Sequence, residues 1–165
     1  MSHQYYHQSH GSIAPLLWYE SLPQHVKRLY DFKSSFSQQP GLIVILAEVV
    51  CEAFTVWALE ELFKSKQQGD LWEALAAGKK KRRFQDICDD RVNRIYTAVS
   101  GDQITQAPFW EQLRNHNIRR NALVHPDHSE PASHPIPSHE DAAASFIAVE
   151  NYIQHVHNIL NAIRS

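Results

Sequence analysis

Residues 41–59 read GLIVILAEVVCEAFTVWAL, an apolar run whose only charged residues are Glu48 and Glu52. A run of about 20 apolar residues has the length of a membrane span. Two carboxylates near its middle argue against that reading, because charge at that depth is costly. Its β-branched content makes a strand the competing reading for 42–50. The length of the whole segment, and its later Glu-, Ala- and Leu-rich portion, favour a helix over 42–66. Such a helix belongs at the centre of a folded domain, with Glu48 and Glu52 on one face needing polar partners. Basic residues such as Arg91 or Arg94 are the expected partners. The alternative is that the two acids orient His125 or Arg120 from a neighbouring helix, or share acid–base work.

The rest of the chain supplies other helices. Residues 16–36 read as a first helix, with Pro23 set to divide it in two. GDLWEALAAG gives a short helix over 70–77, stopped at Gly78. Residues 84–100 repeat apolar positions at helical spacing, with Gly101 as a C-terminal cap. QAPFWEQLRNHNIRRNALVHP opens with Pro108 in its first turn and ends at or just before His125, since Pro126 disfavours helical geometry there. HPDHSEPASHPIPSH (125–139) reads as a loop. In the last helix Phe146, Val149, Ile153, Val156, Leu160 and Ile163 follow at steps of 3, 4, 3, 4 and 3, an unbroken apolar seam. Ser138 and Asp141 have the spacing of a capping box at its start. No alternating strand pattern is convincing. The expected fold is all-α, a bundle of about four or five helices in one domain over 13–165, behind a disordered polar tail at 1–12.

The two cysteines, Cys51 and Cys88, lie in helical patterns, and the first twelve residues lack the apolar stretch of a leader. Both features suit a cytoplasmic chain with no membrane partner. Net charge is −2, but it is unevenly spread. Residues 1–78 carry 5 Lys/Arg and 8 Asp/Glu; 79–120 carry 10 and 5; 121–165 carry 1 and 5. A basic middle of +5 lies between two acidic ends, so one face can be electropositive.

That middle ends in RRNALVHP (119–126). Asn121 and His125 are four apart, on one face if the helix runs that far. Arg120 is five before His125, about 140° away on an ideal helix. Its long side chain converges with the imidazole if the helix loosens before Pro126. A cation beside a titratable ring suits metal-free cleavage of RNA. Histidine takes the 2′-hydroxyl proton. Arginine, always charged, faces the phosphoryl oxygens. Nearby arginines also disfavour the imidazolium, keeping His125 ready to accept a proton. Read alone, the same residues also describe a helix C-terminus that favours cations.

The stretch Arg120-Asn121-Ala122-Leu123-Val124-His125 resembles the Arg-x(4–6)-His motif of the HEPN superfamily, where Asn after the Arg is common. The helical order over 40–164 is similar too. The motif closes a helix that follows a long amphipathic one, and a Pro-rich loop leads to a final helix beginning SHEDAAASFIAVENYI. The resemblance implies an all-α, HEPN-like domain that is often dimeric. Many members are metal-independent endoribonucleases, frequently toxins or anti-phage effectors, with two motifs meeting across a dimer cleft. Carried over, Arg120 would stabilise the phosphate, His125 would be the general base or acid, and Asn121 would orient the site. Arg119 matches no required position and is read as a further phosphate contact. Members paired with a nucleotidyltransferase antitoxin carry Tyr two residues after the His. Here Asp127 stands there, so silencing by adenylylation at that tyrosine is unavailable and that pairing is in doubt. Another antitoxin or regulatory protein remains a possible partner.

KKKRR, Lys79, Lys80, Lys81, Arg82 and Arg83, is either an RNA-guiding patch or a solvated loop after Gly78. His125, His128, His134 and His139, with Asp127, Glu130 and Glu140, match no familiar zinc spacing, so no metal and no cofactor is expected. His3, His7 and His10 belong to the polar tail. His116, His155 and His157 read as helix surface or interface. The first expectation is therefore a HEPN-type endoribonuclease acting on RNA. The second is a catalytically silent HEPN-like module binding nucleotide, RNA or protein. A third is a dimerisation bundle, with the 146–163 seam as its interface.

Overall fold

The computed structural model describes residues 17–36, 38–124 and 136–165; the side chains of Leu17 and Lys79 also lie outside the description. Within these residues the chain is all-α, with no strand. Its helices are α1 (Leu17–Ser21), α2 (Gln24–Asp31), α3 (Pro40–Ser65), α4 (Gly69–Ala76), α5 (Asp90–Ser100), α6 (Trp110–Val124) and α7 (His139–Arg164). Seven α segments stand where four or five were expected. Pro23 does divide the first helix, and a 3-10 turn, Phe32–Phe36, completes that region.

α3 and α7 are 26 residues each, about 39 Å at 1.5 Å per residue. They pack along each other, α6 lies across both, and α2 covers another side of α3. That explains the composition of α3. Among the described helices it alone is long and apolar enough to cross a membrane, and 67% of its most apolar stretch is buried by its neighbours. A helix covered on several sides needs no polar face. Pro40 begins it, where a missing N–H costs nothing.

The seam of α7 forms its half of the core. Phe146, Val149, Ile153, Val156 and Leu160 are all buried. Tyr152 sets its ring edge-on to Phe54 of α3, centroids 5.5 Å apart. Its hydroxyl lies 2.9 Å from Thr55 Oγ1, which itself donates to the Cys51 carbonyl at 2.8 Å. The buried polar atoms of that contact are thus paired. The capping box is present: Ser138 Oγ accepts from the Asp141 amide at 3.1 Å, and Asp141 Oδ2 accepts from the Ser138 amide at 3.0 Å.

One expected helix starts late. Residues 85–89 are not helical, and α5 begins at Asp90. Two acids divert the backbone. Asp86 accepts from the Cys88 amide at 2.8 Å, and Asp89, at the N-cap, accepts from the Arg91 and Val92 amides. Phe84 and Ile87 are buried all the same, so their helix-like spacing reflects core packing across a turn. KKKRR is a 3-10 helix, Gly78–Phe84, rather than a loop. Gly78 enters it at φ 59°, a left-handed conformation that favours glycine. Pro108 lies just ahead of α6, which starts at Trp110.

These contacts rank two substitutions. Phe54→Ala, at a fully buried ring, is expected to cost about 3–5 kcal/mol. Ser138→Ala, removing one cap, costs about 1 kcal/mol. Urea denaturation checks the ranking, and equal losses would refute this picture of the α3–α7 core.

Candidate active site at the end of the sixth helix

α6 carries the motif to the edge of the description: it runs to Val124, the residue before His125. His125 and the loop through 135 lie outside the described residues, so the placement of the imidazole relative to Arg120 is not part of this geometry. What precedes it is closely held.

His116 and Arg120, four apart on α6, meet Glu48 and Glu52, four apart on α3. Arg120 Nη2 donates to Glu52 Oε1 at 3.3 Å, and Arg120 Nη1 to Asn121 Oδ1 at 2.8 Å. His116 Nε2 lies 3.0 Å from Glu48 Oε2, both side chains almost fully buried. That approach is out of line for a hydrogen bond, and neither ring nitrogen of His116 has an aligned partner. The contact is therefore one of proximity, an ion pair only when the imidazole is protonated. The acids of α3 thus face α6, not Arg91 or Arg94 as expected. Arg91 donates to the Arg83 carbonyl and Arg94 to the Asp90 carbonyl. His116, expected at a surface or interface, is a core residue.

The network continues beyond Arg120. Asn121 Nδ2 donates to Asn117 Oδ1 at 2.8 Å, and Asn117 Nδ2 to Asp86 Oδ2 at 3.2 Å. A polar ladder therefore runs Glu52–Arg120–Asn121–Asn117–Asp86 along the last turns of α6. Asn117 and Asp86 were missed by sequence reasoning. The available signal was the spacing of four from Asn117 to Asn121; nothing local marked Asp86. Arg119 points the other way and donates through Nε to Asp141 Oδ1 at 3.1 Å. It ties the end of α6 to the capped start of α7, and its charge is already engaged there.

The three acids share one field. Burial, with Glu48 close by, pushes the Glu52 carboxyl above its ordinary value against the pull of Arg120. Burial also raises Asp86, opposed by its bonds from the Cys88 amide and Asn117. Arg120 is charged throughout. Of its five N–H donors, two are used in the bonds above, so three remain. Its side chain is 26% exposed. It is a fixed cation with donors to spare, inside a half-buried ladder whose Asn121 is exposed.

The basic turn is elsewhere. Lys80, Lys81, Arg82 and Arg83 are exposed on the 3-10 helix, and Lys81 lies 3.5 Å from Glu60 of α3. No hydrogen bond or ion pair among the described residues joins this turn to Arg120. Among the described residues no group of three or more His, Cys, Asp or Glu is arranged to hold a metal ion. The His-rich tail and most of the His-rich loop lie outside them. No family model, no curated protein and no solved structure matches this chain.

The raised Glu52 carboxyl sets a pH dependence. An acid whose folded pKa exceeds its unfolded one disfavours folding above that folded value. The cost disappears as pH falls through the folded pKa to the unfolded one. Glu52→Gln removes this cost. Denaturation midpoints of the native chain and the variant are therefore expected to draw together, or shift in favour of the native chain, as pH falls from 7 toward about 4.5. A gap that moves the other way would contradict the assignment.

Proposed function

We propose that this chain is a metal-independent endoribonuclease of HEPN type, working as a homodimer in a toxin or anti-phage defence role. The observation that carries the proposal is the setting of the Arg-x4-His stretch. Arg120 and Asn121 lie on the last turn of α6, with a guanidinium anchored from behind and donors left over.

In this reading His125 takes the proton from a ribose 2′-hydroxyl, and the oxygen attacks the adjacent phosphorus. The bond from phosphorus to the 5′-oxygen breaks, and that oxygen takes a proton. The products are a 2′,3′-cyclic phosphate and a 5′-hydroxyl. Arg120 faces the charge that grows on the non-bridging oxygens. Glu52 and Asn121 hold the guanidinium, sparing it reorganisation during the step. A second protomer supplies the other motif. Ile118 and Val124 are exposed on α6 beside the motif, as are Leu42 and Val49 on α3. Apolar surface of this kind supports a partner there.

A second reading is favoured by a specific feature. Glu48, Glu52 and Asp86 surround the motif from within and disfavour an incoming phosphate. A silent HEPN-like module that binds nucleotide, RNA or a protein is the alternative they support.

Labelled total RNA incubated in excess EDTA separates the two. The native chain is expected to cleave. Arg120→Ala and His125→Ala, checked for unchanged folding and oligomeric state, are expected to lose at least about a hundredfold in rate. Equal cleavage by all three proteins removes the motif from the mechanism, and no cleavage by the native chain favours the silent module. The dimer has its own check. Ile118→Glu with Val124→Glu is expected to turn dimers into monomers on size exclusion, and an unchanged elution volume would place the interface elsewhere.

A further inference from the structure

A cleft of about 470 Å³ opens between α3 and the basic 3-10 helix, within the range of about 300–1,000 Å³ typical of ligand sites. Its floor is apolar: Ala53, Val56 and the ring of Trp57. Glu60 lines it too, with Lys81 Nζ 3.5 Å from its carboxylate, and Arg82 is the second cation of the lining. Trp57 is half-buried, braced on its inner side by Phe54 at 5.4 Å between centroids. Arg82 makes no hydrogen bond or ion pair among the described residues. Glu60 is held ionised, chiefly by a hydrogen bond from Lys64 at 2.8 Å.

We infer that this cleft binds one nucleotide of a single-stranded RNA, its base stacked on Trp57 and its phosphate held by Lys81 and Arg82. This rests on the proposed ribonuclease reading for its ligand, but uses none of the residues of that site. Each wall has a matching part of a nucleotide. A flat π-face suits a base of any sequence. Fixed cations suit the phosphate. An ionised carboxylate suits a base amino group as acceptor. Gly78 also lines the cleft with nothing near the place a Cβ would occupy, leaving the backbone open to a close approach.

The position fits a strand that continues to the motif. Gln85 lines the cleft, and the next residue, Asp86, accepts from Asn117 in the ladder beside Arg120. Along α3, Glu52, the partner of Arg120, is one turn before Val56 of the floor. Glu52 and Trp57 are five residues apart, about 7.5 Å of helix, on the order of two stacked nucleotides at about 3.4 Å each. The cleft and the motif are therefore linked through α3 and through residues 85–86.

The test uses the full chain and a labelled 2′-O-methyl oligoadenylate, which lacks a free 2′-hydroxyl and cannot be cut by this chemistry. The oligonucleotide is expected to quench tryptophan emission, and Trp57→Phe to abolish most of the quench. Trp57→Ala is expected to weaken binding about tenfold. Lys81→Ala with Arg82→Ala is expected to lower the slope of log affinity against log salt by about 0.7, one phosphate's worth for a single strand. AMP, the free-nucleotide arm, is expected to bind more weakly than the oligonucleotide and to be displaced by it. Tighter binding of AMP, undisplaced, would overturn the RNA assignment. Unchanged affinity and salt slope in correctly folded Trp57→Ala and double-alanine proteins would overturn the site itself. No cleavage is read, so a chain that binds through Trp57 but cuts nothing refutes the nuclease reading alone.

Discussion

Two carboxylates sit on the most apolar helix of this protein, and the arrangement around them follows from that fact. Burying Glu48, and half-burying Glu52, without partners would be costly. The chain meets the requirement with one neighbour, α6, whose His116 and Arg120 repeat the spacing of the acids. The same contacts that relieve the acids of α3 fix the rotation of α6 and hold its last turn against the core. Removing one member leaves a half-buried charge, which costs more than the pair contributes.

A second tie acts from the opposite side. Arg119, next to Arg120, reaches Asp141 in the capping box of α7. The backbone amide and hydroxyl of Ser138, with Arg119, hold Asp141 below the usual carboxylate range. Adjacent arginines thus bind the end of α6 to both long helices. Arg119 has a structural role there. Arg120 has a mixed one, because its anchor leaves three donors unused. Structure and proposed chemistry share that one residue. A positioned guanidinium is what charge stabilisation requires, and it comes here from the satisfaction of buried acids.

Much of this fold was legible because it rests on period and punctuation. The steps of 3 and 4 from Phe146 to Ile163 marked α7, and Ser138 and Asp141 marked its start. The errors have a common cause. Phe84, Ile87 and Cys88 carry helical spacing, yet Phe84 closes a 3-10 helix and the other two lie in a turn, because Asp86 and Asp89 take the backbone amides first. Glu48 and Glu52 were expected to meet Arg91 or Arg94, since charge alone does not say which helix lies nearest. The pairing of two i, i+4 sets was visible only once α3 and α6 were known to touch. His116 had no mark in its local sequence of being buried. The cleft at Trp57 joins residues from 25 to 85, and no spacing rule brings those together.

The account turns on how a phosphodiester is broken, and the chemistry of the cut ends reads that directly. RNA treated with the native chain in EDTA is analysed by mass spectrometry of its fragments. Attack by the 2′-hydroxyl, with His125 and Arg120 in the roles given, predicts 2′,3′-cyclic phosphate and 5′-hydroxyl ends. Fragments ending in 3′-hydroxyl and 5′-phosphate, or RNA left intact, would contradict it.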